Sequence, residues 1–108
     1  MRRGDVIKVV VPGSYGKPRP AVIIQKDLLA HRLDGIIICP ITSDLRFEAP
    51  LRLALEPSPA NGLRLRSRIM VDKIQAVPKE KVGGVIGRLE PDQMEELGRA
   101  LMTVLDLL

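Results

Sequence analysis

The 108-residue chain contains no tryptophan, one tyrosine and one phenylalanine. That scarcity speaks against a nucleic-acid module that stacks bases on several exposed rings, and against an aromatic groove for proline-rich peptides. Tyr15 is the one residue placed to stack. A single cysteine, Cys39, rules out an internal disulfide, and together with a single histidine, His31, it rules out an ordinary Cys/His zinc site. Cys39 lies in an apolar run and reads as a small buried residue, while His31 sits in a polar connection and reads as surface. Walker-type loops, nucleophile elbows and paired histidines are all missing. No run approaches the roughly 20 apolar residues of a membrane span, and Met1-Arg2-Arg3-Gly4-Asp5 lacks the apolar core of a secretion signal. The expectation is an unprocessed cytoplasmic protein with no membrane contact.

What is present is aliphatic bulk and positive charge. A hydrophobic fraction of 45% with almost no rings demands a core of Val, Ile and Leu. The length suits one domain, residues 1–108. A net charge of +4 points to an anionic partner, with an inert basic surface equally open at this stage. Apolar, β-rich stretches bounded by Pro, Gly and Asp predict strands over 5–11, 21–25, 36–41, 51–55, 68–77 and 85–86, with one helical turn in 27–32. The 36–41 strand is apolar at every position, as a strand covered on both faces would be. A helix begins at Pro91, with acids Asp92, Glu95 and Glu96 early and a stripe of Met94, Leu97, Leu101, Val104 and Leu108. Five or six short strands followed by one helix predict a compact, strongly curved antiparallel sheet or partly open barrel.

The candidate chemistry gathers at two strand ends. In Gly13-Ser14-Tyr15-Gly16-Lys17-Pro18-Arg19-Pro20, the prolines fix the backbone on either side of Arg19. A planar, permanently charged guanidinium held there suits a phosphate, although an arginine read alone is more often an ion-pairing or loop-anchoring residue. Thr42 and Ser43 end the next strand, where hydroxyls either cap the backbone or bind a ligand. Together, a fixed cation and hydroxyls at neighbouring strand edges make a phosphate site. Asp72 interrupts an apolar strand and either faces solvent or is held by a partner, with Arg19 the obvious one if the strands adjoin.

At these residues the sequence resembles the MazF/PemK toxins, the sequence-specific endoribonucleases of toxin–antitoxin pairs. The resemblance is collinear through Arg3-Gly4-Asp5-Val6, 17–25, Pro40-Ile41-Thr42-Ser43, Asn61-Gly62-Leu63, Ser67, Val71-Asp72-Lys73-Ile74, Ile86-Gly87-Arg88-Leu89 and the closing helix. It implies an α+β, mainly β fold: a small curved antiparallel sheet or SH3-like barrel with a C-terminal helix, of the CcdB/Kid/MazF kind. It further implies a homodimer, an acidic antitoxin partner, and cleavage of single-stranded RNA by the ribose 2′-hydroxyl with no metal or other cofactor. By the same resemblance Arg19 and Thr42 are the catalytic residues, and Tyr15, Lys17, Ser43 and Asp72 bind substrate. The PemK branch uses a histidine in the first loop and an arginine two residues before the matching acid. Here that loop has Tyr15 and no histidine, and Met70 stands in the arginine's place. The MazF-like scheme is therefore the one followed. Two other readings are a gyrase-binding toxin of the same fold, whose function centres on a C-terminal Trp-Gly-Ile that this chain lacks, and a plain SH3-like interaction module.

Overall fold

A computed structural model describes residues 1–46 and 51–107. Phe47, Glu48, Ala49, Pro50 and Leu108, which belong to the polar turn and to the end of the helix stripe, lie outside the described residues. The elements in order are β1 (Asp5–Val9), β2 (Arg19–Ile23), β3 (Gly35–Thr42), β4 (Arg52–Leu55), β5 (Ser67–Met70), β6 (Gln75–Pro78), β7 (Val82–Arg88) and α1 (Pro91–Val104). Single 3-10 turns occupy Asp27–Leu29, Val71–Lys73 and Lys79–Lys81.

The strands form one antiparallel sheet in the order β4-β5-β3-β2-β1-β7, with β6 also paired to β3. β1 and β2 make the expected hairpin, with Lys8 opposite Pro20 and Val9 opposite Arg19. β3 is the hub. One edge pairs with β2 from Ile38 to Pro40, and the other pairs with β6 at Gly35–Ile38 and with β5 at Ile41 and Thr42.

That second edge corrects the expectation of one strand over 68–77. Val71–Lys73 leave the ladder as a 3-10 turn, splitting the stretch into β5 and β6 on the same side of β3. Val71 is fully buried in the cluster beneath the helix, as is Ile69 two residues earlier, and the turn carries the chain from one end of β3 to the other. Asp72 therefore sits on a turn, not within a strand. Two further differences follow from counting ladder bonds instead of apolar letters. There are seven strands among the described residues, not five or six, and the last runs over Val82–Arg88, its glycines tolerated at the sheet edge.

Residues alternate between two cores, as the period-two geometry of strands requires. Val6, Val22, Cys39, Ile41, Leu55, Ile69 and Val71 face the helix, meeting Leu97 and Ala100. Ile7, Val9, Ala21, Ile23, Ile36, Ile38 and Val77 fill the opposite face. β3 and most of β1 and β2 are thus covered on both sides, which is why they read as largely apolar runs, with Lys8 and Arg19 the exposed exceptions in β1 and β2. The helix starts with Pro91 at its first position, and the Glu90 N–H donates to the Gln93 side chain at 2.8 Å. Its stripe packs on the sheet: Leu97 is buried, and Met94, Leu101 and Val104 lie half-buried against the same cluster. Among the described residues no helix is long and apolar enough to cross a membrane.

Candidate active site

A groove of about 510 Å³ opens where the ends of β1, β2, β3 and β5 meet the loops 11–14 and 62–65. Its lining brings together Arg19, Thr42 and Ser43, the cation and both hydroxyls singled out in the sequence. Their adjacency comes from register. Ala21 pairs with Pro40, so the start of β2 lies beside the end of β3, and each strand ends facing the opening.

The local sequence explains how each group is presented. The first loop is tied by the Ser14 hydroxyl and amide, both donating to the Val11 carbonyl, at 2.7 and 3.2 Å. Gly13 and Gly16 take positive φ, the left-handed conformation that glycine adopts without cost. Tyr15 also has positive φ, 55°, and is 97% exposed, so its ring points away from any packed surface. Arg19 follows between two prolines as the first residue of β2 and is exposed. Its guanidinium has no hydrogen bond or ion pair with any of the described residues. At the end of β3 the Thr42 hydroxyl oxygen accepts the Asp44 backbone N–H at 3.0 Å. One lone pair is thereby engaged, and the hydroxyl proton is left to donate outward.

Electrostatics favour an anion. Lys8, Arg19 and Arg64 line the groove, and Asp44 is the one carboxylate among its lining residues. Asp44 is already neutralised: Arg46 Nε and Nη2 donate to its two oxygens at 2.9 and 2.8 Å, and that pairing holds its pKa at about 2.

The remaining predicted residues fall elsewhere. Tyr15 and Lys17 are exposed on the first loop but do not line the groove. Asp72 does not line it either, and its expected partner is corrected. Arg52, not Arg19, donates to both Asp72 oxygens, at 3.2 and 3.4 Å, and this pairing lowers the Asp72 pKa. The reason is topological, because β3 and β5 stand between β2 and the β4 corner. Cys39 is fully buried, and burial, assisted by the negative charge of Asp72, pushes its thiol up to about 12. A thiol so placed stays neutral and takes no part in chemistry.

Sequence reasoning missed Lys8, Arg64 and the wall formed by Gly62, Leu63 and Leu65. Lys8 had a signal, being the one charge in Val6-Ile7-Lys8-Val9-Val10-Val11. The wall had a subtler one in Asn61. This fully buried side chain accepts the Ser58 and Leu63 amides at 3.1 and 2.9 Å and donates to the Glu56 carbonyl at 2.8 Å. Gly87 completes the fit, since a Cβ there would collide with the Asn61 backbone.

Comparisons with known proteins bear on the family and the fold. The model of a family described as PemK-like, MazF-like toxins of type II toxin–antitoxin systems matches residues 2–105. A Mycolicibacterium smegmatis protein, named as a probable endoribonuclease MazF, is 39% identical over 109 residues, spanning 99% of this chain and 98% of that one. Among solved structures, a mycobacterial endoribonuclease in complex with its cognate antitoxin superimposes with a TM-score of 0.81 at 23% identity, covering 100% of this chain and 97% of that one. The Mycobacterium tuberculosis toxin MazF-mt6 gives 0.79 at 24% identity, covering 94% and 96%. At those identities the two structures bear on the fold.

Proposed function

The chain belongs to the PemK-like, MazF-like toxins of type II toxin–antitoxin systems, and we propose that its groove cuts single-stranded RNA with Arg19 and Thr42 at the scissile phosphate. Its activity is that of an endoribonuclease. One observation carries the assignment of residues: an arginine fixed by prolines, with no partner among the described residues, lines the same groove as two hydroxyls.

In this reaction the ribose 2′-oxygen attacks phosphorus and the bond to the 5′-oxygen breaks. The products are a 2′,3′-cyclic phosphate and a 5′-hydroxyl, with one proton leaving the 2′-oxygen and one reaching the 5′-oxygen. Charge gathers on the non-bridging oxygens as the fifth bond forms. Arg19 answers that charge through paired N–H donors, and Thr42 and Ser43 add hydroxyl donors. A guanidinium holds its proton too tightly to serve as a base, so Arg19 acts as a charge stabiliser. Tyr15 and Lys17, on the loop beside the groove, meet the RNA outside the reacting centre, and Asp72 serves the fold through Arg52.

Residues 1–108 act as one toxin domain in the cytoplasm, as a homodimer held in check by an acidic antitoxin segment that competes for the basic groove. The test is incubation of the purified protein with a long single-stranded RNA in excess EDTA, with the cut sites mapped. Discrete cuts that EDTA leaves undiminished are expected; an intact RNA, or activity lost to EDTA, overturns the proposal.

A further inference from the structure

The scissile phosphate needs one cation, yet three line the groove. Lys8 is the unusual one. Every other residue of β1 is buried, with Val6, Ile7 and Val9 at 0%, 0% and 1% exposure, and Lys8 alone reaches solvent. A strand interior covered on both faces would normally carry an aliphatic residue at that position. Its surroundings are arranged to leave it open. Across the ladder it faces Pro20 on one side and Gly84 on the other, neither of which offers a side-chain acceptor. The β1–β7 register slips on both sides of Lys8, between Val6 and Ile7 and between Lys8 and Val9, leaving Ile86 and Gly83 as the extra residues of β7. Such bulges re-aim neighbouring side chains and are frequent beside functional sites. A Cβ on Gly83 would lie 3.8 Å from the Lys8 Cβ, so a bare backbone ledge flanks the lysine. The Lys8 ammonium has no hydrogen bond or ion pair with the described residues.

Arg64 comes to the groove from a different element. It too is exposed, without a partner among the described residues, and it rides on the loop pinned by Asn61. The one carboxylate among the described lining residues, Asp44, is satisfied by Arg46, so neither cation is paired with it.

We infer that Lys8 and Arg64 grip the RNA phosphates flanking the scissile one, setting the path of the strand through the groove while Arg19 and Thr42 act on the reacting group. This rests on the reading of the groove as an RNA-cleaving site. It explains how a chain with almost no aromatic residues holds a single strand: by ion pairing along the backbone instead of stacking.

The salt dependence of binding tests this directly. Each phosphate neutralised on a single strand contributes about 0.7 to the slope of log affinity against log salt. The probe is a 2′-O-methyl RNA carrying a mapped cut sequence, which binds but lacks the attacking hydroxyl. It is titrated by anisotropy at several KCl concentrations against wild type, Lys8→Met, Lys8→Gln and Arg64→Gln. Each substitution is expected to lower the slope by about 0.7, and the Lys8→Met/Arg64→Gln double variant by about 1.4. Lys8→Arg, which keeps the charge, is expected to restore the slope. On cleavable RNA, KM is expected to rise several-fold more than kcat falls. Wild type that binds and cuts, with slopes unchanged in Lys8→Met, Lys8→Gln and Arg64→Gln, overturns the inference and leaves the cleavage reading standing. Wild type that neither binds nor cuts overturns both.

Discussion

Arg19 and Arg52 each open a strand of the same sheet, and their surroundings are opposites. Arg52 begins β4 with its side chain only 14% exposed and both Asp72 oxygens within 3.2–3.4 Å. Arg19 begins β2, exposed between two prolines, and has no partner among the described residues. The same side chain serves architecture in one place and a ligand in the other. What separates them is the neighbouring acid, because an arginine already holding a carboxylate has spent the fork that would grip a phosphate. Arg46 and Asp44 show the first pattern at the rim of the groove itself, where the arginine offsets the charge of the one carboxylate among the described lining residues.

The sharpest way to break this contrast is to delete each arginine. Arg19→Ala is expected to reduce RNA cleavage by about 10²–10³-fold, the scale of losing a donor to developing charge, with no change in the urea midpoint. Thr42→Ala comes next, at about 10-fold to 100-fold in kcat, since a hydrogen bond to a charged group is worth about 1.5–3 kcal/mol. Thr42→Ser keeps the hydroxyl and is expected to recover most of the rate. Arg52→Ala is expected to do the reverse, leaving cleavage per folded molecule within about twofold while stability falls. The loss is about 1 kcal/mol or less, because the Asp72 carboxylate is 41% exposed and solvent screens the pair.

That last effect carries a pH signature. The Asp72 pKa is lowered in the folded protein, so its contribution is present above the unfolded value of about 3.9 and fades as pH falls through the folded value. Urea midpoints of wild type and Arg52→Ala are therefore expected to differ near neutrality and to converge in acid. The smallest effect concerns Cys39. With its thiol pushed up to about 12, it is expected to resist iodoacetamide at pH 8 until the chain unfolds, as intact-mass spectra would record.

Much of the groove could be read from the chain because its signals are local. Prolines on both sides of Arg19 and a hydroxyl pair closing an apolar strand depend on neighbours in sequence, as does the helix start at Pro91. The partner of Asp72 is of another kind. Arg52 lies 20 residues away on a strand whose position depends on the whole sheet order, so no local pattern distinguished it from Arg19. The splitting of 68–77 was hidden for a related reason: a buried valine looks alike in a strand and in a turn packed under a helix. Lys8 shows a third case, a local anomaly whose meaning emerged only once β7 and its glycines were seen beside it.

Arg19, which has no partner among the described residues and sits beside Thr42 and Ser43, is the arginine assigned to the scissile phosphate. Mass spectrometry of the 3′ ends released from a defined RNA in EDTA tests that assignment most directly, with wild type and Arg19→Ala compared at equal folded concentration. Wild type is expected to release 2′,3′-cyclic phosphate ends and the variant almost none. Ends bearing 3′-hydroxyl groups, or cyclic phosphate produced equally well without Arg19, would contradict the assignment.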